Sequence, residues 1–151
     1  MSLKQLNILL ADDDIDDCAF FKKALEDFPI STYYTAVHDG EKLMKQLTNE
    51  TNELPNVLFL DLNMPRKNGF ECLKEIKLNK KLNQLPVIIF STSFEQDVVN
   101  VLYKYGAQYF VRKPSDFLQF KKIIQQSLTL VAYGNISQPT RENFVLEYKT
   151  V

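Results

Sequence analysis

Four short apolar runs in this chain each end on a residue that belongs in water. "LNILLA" (6–11) runs into Asp12, "VLFL" (57–60) into Asp61, "VIIF" (87–90) into Ser91, and "YFV" (109–111) into Arg112 and Lys113. Runs of this length that are apolar throughout, rather than alternating, read as strands buried on both faces. A fifth run, "TYYTAV" (32–37), is rich in β-branched and aromatic residues and reads as a strand too. Between the runs, apolar residues recur at helical spacing. Phe21, Ala24, Leu25 and Phe28 form one such stripe, stopped by Pro29, with Asp14 or Asp16 placed to cap its start. Leu43, Met44 and Leu47 form a second, and Phe70, Leu73 and Ile76 a third after Gly69. A fourth holds Val98, Val101, Leu102 and Tyr105 and closes at Gly106; a fifth runs from Phe117 to Val131. Five strands alternating with five helices predict an α/β doubly wound fold, a five-stranded parallel sheet with helices on both faces.

The chain's 151 residues suffice for one domain with a sizeable core. A net charge of −1 gives no field that would draw it to nucleic acid or an anionic membrane. No apolar run approaches the ~20 residues that span a bilayer, and aspartates interrupt the first one too early for a signal peptide. A cytoplasmic protein without membrane insertion is expected. Cys18 and Cys72 sit far apart on apolar helix faces, as core thiols of a reducing compartment do. His38 falls in a turn and reads as a surface residue. The periodicity stops near Ala132, so a domain over 1–131 is expected, with 132–151 as a docked extension or a tail and no output domain. That segment leaves a homodimer open. No basic helix-turn-helix follows the fifth helix, so DNA is not an expected partner.

In parallel α/β sheets, ligands bind beyond the carboxyl ends of the strands. If these strands are neighbours, Asp12, Asp13, Asp61, Ser91 and Lys113 converge there. Carboxylates crowded together repel, and one lysine offsets only part of their charge. A divalent cation completes such a site. Oxygen ligands without a suitable His or Cys favour Mg²⁺, or Mn²⁺, over zinc, and an ion held by few carboxylates usually serves a phosphate group. The Ser91 hydroxyl and Lys113 ammonium suit phosphoryl oxygens, and an aspartate so placed can be the nucleophile that forms an acyl phosphate. Asp14, Asp16 and Asp17 read instead as a helix start, where carboxylates meet the positive end of the dipole. The spacing Asp12, Asp14, Asp16 suggests a calcium loop, but Asp17 and Lys23 stand where that loop needs Gly and Glu.

The segments "ILLADDD", "LFLDLNMPRKNG", "LPVIIFSTS" and "YFVRKP", in that order, resemble the receiver domain of bacterial two-component response regulators, over about residues 5–131. The resemblance is to the single-domain, chemotaxis-type members and implies a flavodoxin-like (βα)5 fold with strand order 2-1-3-4-5. It implies that Asp61 is the phosphoacceptor, that Asp12 and Asp13 hold Mg²⁺ with Asp61 and the carbonyl of Asn63, and that Lys113 contacts the phosphoryl group. It implies a cis bond to Pro114, shaping roles for Pro65 and Gly69 in the loop after the third strand, a switch hydroxyl at Ser91 and a switch aromatic at Phe110. Many relatives carry threonine and tyrosine at those last two positions; phenylalanine offers no hydroxyl hydrogen bond.

The leading expectation is therefore a phospho-accepting signalling protein, not an enzyme acting on an external substrate. A histidine kinase or histidine phosphotransfer protein would be its donor and an unknown protein its downstream target. A phosphorylation-independent interaction module is the alternative. A small Mg²⁺-dependent phosphohydrolase would need a cap, and no insertion is long enough to form one.

Overall fold

The computed structural model describes residues 5–134 and 137–148. The chain lays down β1 (Leu6–Ala11), α1 (Ile15–Ala24), β2 (Thr32–Val37), α2 (Gly40–Thr48), β3 (Val57–Leu60), α3 (Gly69–Leu78), β4 (Val87–Ser91), α4 (Gln96–Lys104), β5 (Tyr109–Arg112) and α5 (Phe117–Tyr133). A 3₁₀ turn (Arg141–Asn143) and β6 (Val145–Leu146) follow. The sheet order is β2-β1-β3-β4-β5-β6 and every pairing is parallel. The doubly wound order 2-1-3-4-5 is thus present, but the five-stranded expectation is corrected to six. The apolar residues of "FVLEY" find the open edge of β5, where Val145 lies opposite Phe110 and Leu146 opposite Val111. An uncovered strand edge leaves backbone donors and acceptors unpaired, and β6 supplies partners for them.

β3 and β4 are buried at every position, as their unbroken apolar runs require. One face of the sheet packs Leu9, Leu58, Leu60 and Ile89 under the helices that carry Leu43, Leu73 and Leu102. The other packs Leu10, Phe59, Phe90 and Val111 against Phe21 of α1 and Ile124 of α5. Aromatic edges meet there: Phe21 and Phe59 lie 4.9 Å apart at 73° and Phe90 and Phe120 5.3 Å apart at 74°, geometry that adds attraction beyond area burial. Both cysteines are buried free thiols.

The starts of α1, α2 and α3 are capped by local side chains. Asp14 accepts from the amides of Asp16 and Asp17, Asp39 from Lys42, and Asn68 and Glu71 form a reciprocal capping box. Gly106 ends α4 with φ +93°, a conformation glycine tolerates best. At Gly69 the constraint is space. A Cβ there would lie 2.1 Å from the backbone oxygen of Asp61, because the first turn of α3 rests on that peptide. Gly69→Ala is expected to cost stability at the upper end of the about 1–3 kcal/mol typical of overpacking, and to weaken divalent-cation binding because the displaced atom belongs to Asp61. Denaturant unfolding and a cation titration of the same variant check both.

Candidate functional site

Asp12 and Asp61 follow directly on β1 and β3, which are neighbours in the sheet. The Asp61 amide donates to the carbonyl of Ala11 at 2.9 Å, which ties the two strand ends together. The carboxylates of Asp12, Asp13 and Asp61 then each offer an oxygen within 4.8 Å of the others. Asp12 and Asp61 are buried while Asp13 is exposed. Such a cluster, half sunk and open on one side, fits a hard cation that keeps part of its water shell.

Lys113, at the end of β5, crosses beneath this cluster. Its ammonium lies 2.7 Å from Asp12 Oδ2 and 2.9 Å from Asp17 Oδ2, with only 5% of its side chain exposed. Asp17 is the residue that sequence reasoning missed. It stands in the first turn of α1, as the helix-start reading has it, with Asp14 as the cap, and from there its carboxylate also reaches the lysine. No cis peptide bond occurs among the described residues, so the bond to Pro114 is trans and the cis expectation is corrected. Trans is the lower-energy isomer of such a bond by about 0.5–1 kcal/mol, and from it Lys113 already reaches both acids.

Ser91 ends β4 on the same side, fully buried, and its Oγ accepts from the Ser93 amide at 3.2 Å. That bond leaves the hydroxyl proton free to donate elsewhere. The backbone N–H of Asn63 lies close enough to the Asp61 carboxylate to favour its ionised form. Phe110 is fully buried and meets Phe94 edge-on, with centroids 5.9 Å apart. His38 is on the surface as expected, yet its Nδ1 lies 3.0 Å from the Asp12 carbonyl, so Nδ1 carries the proton. The loop after β3 is tight: Arg66 has φ 69° and the Lys67 amide donates back to the Pro65 carbonyl. A left-handed non-glycine residue stores strain of the kind found beside functional sites.

Burial raises the Asp61 pKa from 3.8 to about 7; Lys113 pulls it down and Asp12 pushes it further up. Burial likewise raises Asp12, against the pull of Lys113. Burial opposes the Lys113 ammonium, but its bond to Asp12 and the charges of Asp12 and Asp61 outweigh that and hold its pKa above the ordinary lysine value.

Residues 8–125 match the family described as the response regulator receiver domain. The chain belongs to that family. Response regulator Rcp1 of Synechocystis is 31% identical over 122 residues, covering 78% of this chain and 83% of Rcp1. The two-component response regulator ARR17 of Arabidopsis thaliana is 28% identical over 129 residues, covering 80% of this chain and 83% of that protein. Among solved structures, the Mn²⁺-bound form of Rcp1 superposes with a TM-score of 0.80 at 28% identity, covering 89% of this chain and 99% of that one. The phosphorylated cyanobacterial phytochrome response regulator RcpA gives 0.80 at 27% identity, covering 85% and 95%. This receiver domain is a signalling module of two-component systems, and its acidic cluster is suited to a divalent cation. No described helix is long and apolar enough to cross a membrane.

The raised Asp61 pKa has a consequence for stability. The folded receiver holds this proton more tightly than the unfolded chain does, so ionising it opposes folding. Stability of the cation-free protein should fall as pH rises from about 4 to about 7 on this account and then level off. A divalent cation competes with that proton. It should raise the melting temperature far more at pH 8 than at pH 5, as thermal unfolding with Mg²⁺ or with a chelator would record.

Proposed function

We propose that this receiver accepts a phosphoryl group on Asp61 from a phosphohistidine of a histidine kinase or phosphotransfer protein, in a site that takes Mg²⁺. The observation that carries this reading is the meeting of Asp12, Asp13 and Asp61 at the carboxyl ends of β1 and β3, with the Lys113 ammonium on Asp12. An Asp61 carboxylate oxygen forms the new bond to phosphorus. The bond from phosphorus to the donor's imidazole nitrogen breaks, and the imidazole leaves with that electron pair. Asp12, Asp13, Asp61 and the Asn63 carbonyl would hold the cation, which when bound neutralises charge on the transferring group. Lys113 supplies fixed positive charge, and Ser91 donates its hydroxyl proton to a phosphoryl oxygen. Preorganised charge of this kind is the main source of catalysis in phosphoryl transfer.

Ile15 and Leu118, at the starts of α1 and α5, are 66% and 58% exposed and offer an apolar rim for the donor protein. The response is a changed protein-binding surface in the cytoplasm, without DNA contact. Incubation with acetyl phosphate and Mg²⁺ should add the mass of one phosphoryl group in an acid-stable, hydroxylamine-labile linkage. No added mass would refute the reading. A protein whose structure and binding ignore beryllofluoride would instead be a phosphorylation-independent interaction module.

A further inference from the structure

Residues 137–148 are held to α4 and β5 by more than the short β6 ladder. The Tyr103 hydroxyl donates to the Pro139 carbonyl at 2.8 Å, and the Gln108 side chain donates to the Ser137 carbonyl at 2.8 Å. The Gln138 amide donates to the carbonyls of Tyr103 and Ala107, satisfying acceptors at the end of α4. Phe144 is fully buried, with its ring 5.1 Å from that of Tyr103. Its carbonyl accepts the N–H of Phe110 at 3.0 Å.

These contacts bear on the position of Phe110. Phe144, whose ring packs on Tyr103 of α4 and whose carbonyl takes the Phe110 N–H, fills the space between α4 and the edge of β5. The Phe110 ring is inside, against Phe94. Ile89 lies opposite Phe110 in the β4–β5 ladder, and Ser91 is two residues along β4 on the same face. Phe94 follows closely in the loop whose Ser93 amide holds the Ser91 hydroxyl. A continuous line of contacts therefore runs from Phe144 through Phe110 and Phe94 to the loop that sets Ser91. Arg141 bonds Asn100 through Nε, but its Nη2 is buried without a hydrogen-bond partner among the described residues. Leaving a buried donor unmet costs free energy.

Resting on the phosphoacceptor reading above, we propose that Phe144 is a positioning residue for the phosphoryl site. It acts through Phe110 on Ser91, so that docking of residues 137–148 and phosphorylation of Asp61 favour each other. Linkage requires the effect to run both ways. Loosening the segment weakens phosphoryl binding, and occupying the site protects the segment.

The test uses the full chain and beryllofluoride with Mg²⁺, read by calorimetry, with Mg²⁺ affinity measured separately. Phe144→Ala should weaken beryllofluoride binding by a factor in the range of roughly 5 to 150 typical of such couplings, with Mg²⁺ affinity unchanged. Phe144→Leu, which keeps most of the buried volume, should restore most of the loss. Gln138→Ala, which loosens the segment without opening the core, should shift binding the same way by less, and serves if Phe144→Ala does not fold. In the wild type, beryllofluoride should slow hydrogen exchange at the Phe110 amide. Unchanged beryllofluoride affinity in these variants would overturn the proposal. So would a parallel loss of Mg²⁺ affinity, which marks a general disturbance of the acidic cluster. Asp61→Asn separates the two readings: if it binds beryllofluoride like the wild type, the phosphoacceptor assignment itself fails, whatever Phe144 does.

Discussion

Asp61→Asn should abolish acyl-phosphate formation from acetyl phosphate or a phosphorylated donor while leaving the fold intact. The substitution keeps the shape of a side chain that is only 6% exposed and removes the oxygen that would attack phosphorus. An amide is not a nucleophile toward phosphorus under these conditions, so the loss should be complete to the limit of detection. The stability change has a definite sign too. Burial resists ionisation of Asp61, and Asp12 adds repulsion, so replacing the carboxylate by a neutral group should stabilise the cation-free protein at pH 8. The gain should shrink at pH 5 and vanish below about pH 4, where the carboxyl holds its proton in the folded and the unfolded chain alike. Mass spectrometry after incubation reads the first effect and thermal unfolding at these pH values the second. Labelling of the variant equal to the wild type would move the acceptor elsewhere. A stability loss at pH 8 would contradict the electrostatic account of the site.

Much of this arrangement was legible because it rests on local physics. A strand buried on both faces has to be apolar along its length, so β1, β3 and β4 announced themselves, and a charge at the end of such a run marks the rim of the sheet. Asp14 and Gly106 were readable as helix ends from their own backbone preferences. What escaped the sequence depends on who meets whom in three dimensions. Asp17 stands in a run of acids at a helix start, where a cap is the simplest reading; its partner is 96 residues away in the chain. A second acid five residues after Asp12, in the first turn of α1, would have been a usable hint, because a buried lysine seeks more than one partner. The tail was similar. "FVLEY" carries strand-forming residues, but nothing in its period names the β5 edge as its partner, and Phe144 is fully buried only because of the space beside α4. His38 was placed correctly on the surface, yet its bond to the Asp12 carbonyl depends on β2 lying beside β1.

Lys113→Met should be the most damaging single change to the site short of removing Asp61. The ammonium bonds two carboxylates, Asp12 with no exposed side-chain surface and Asp17 with 21%. It also lies 4.9 Å from the centroid of the Phe90 ring. Methionine retains the apolar stem and removes the charge. Asp12 is then a buried carboxylate without its cation, and breaking a buried pair in this way costs about 3–5 kcal/mol. The same change takes fixed positive charge from the place where phosphoryl oxygens would sit, and losing one such group slows reaction by about 10²–10³-fold. The two effects can be separated. A divalent cation bound by Asp12, Asp13 and Asp61 returns positive charge to the cluster, so Mg²⁺ should recover much of the lost stability. It should not recover the rate, because the cation cannot stand where the ammonium stood. Denaturant unfolding with and without Mg²⁺, beside phosphotransfer rates at saturating Mg²⁺, measures each part. If Mg²⁺ restores rate and stability together, Lys113 serves only to balance the charge of the acids. If it restores stability alone, the lysine contributes to the transfer itself.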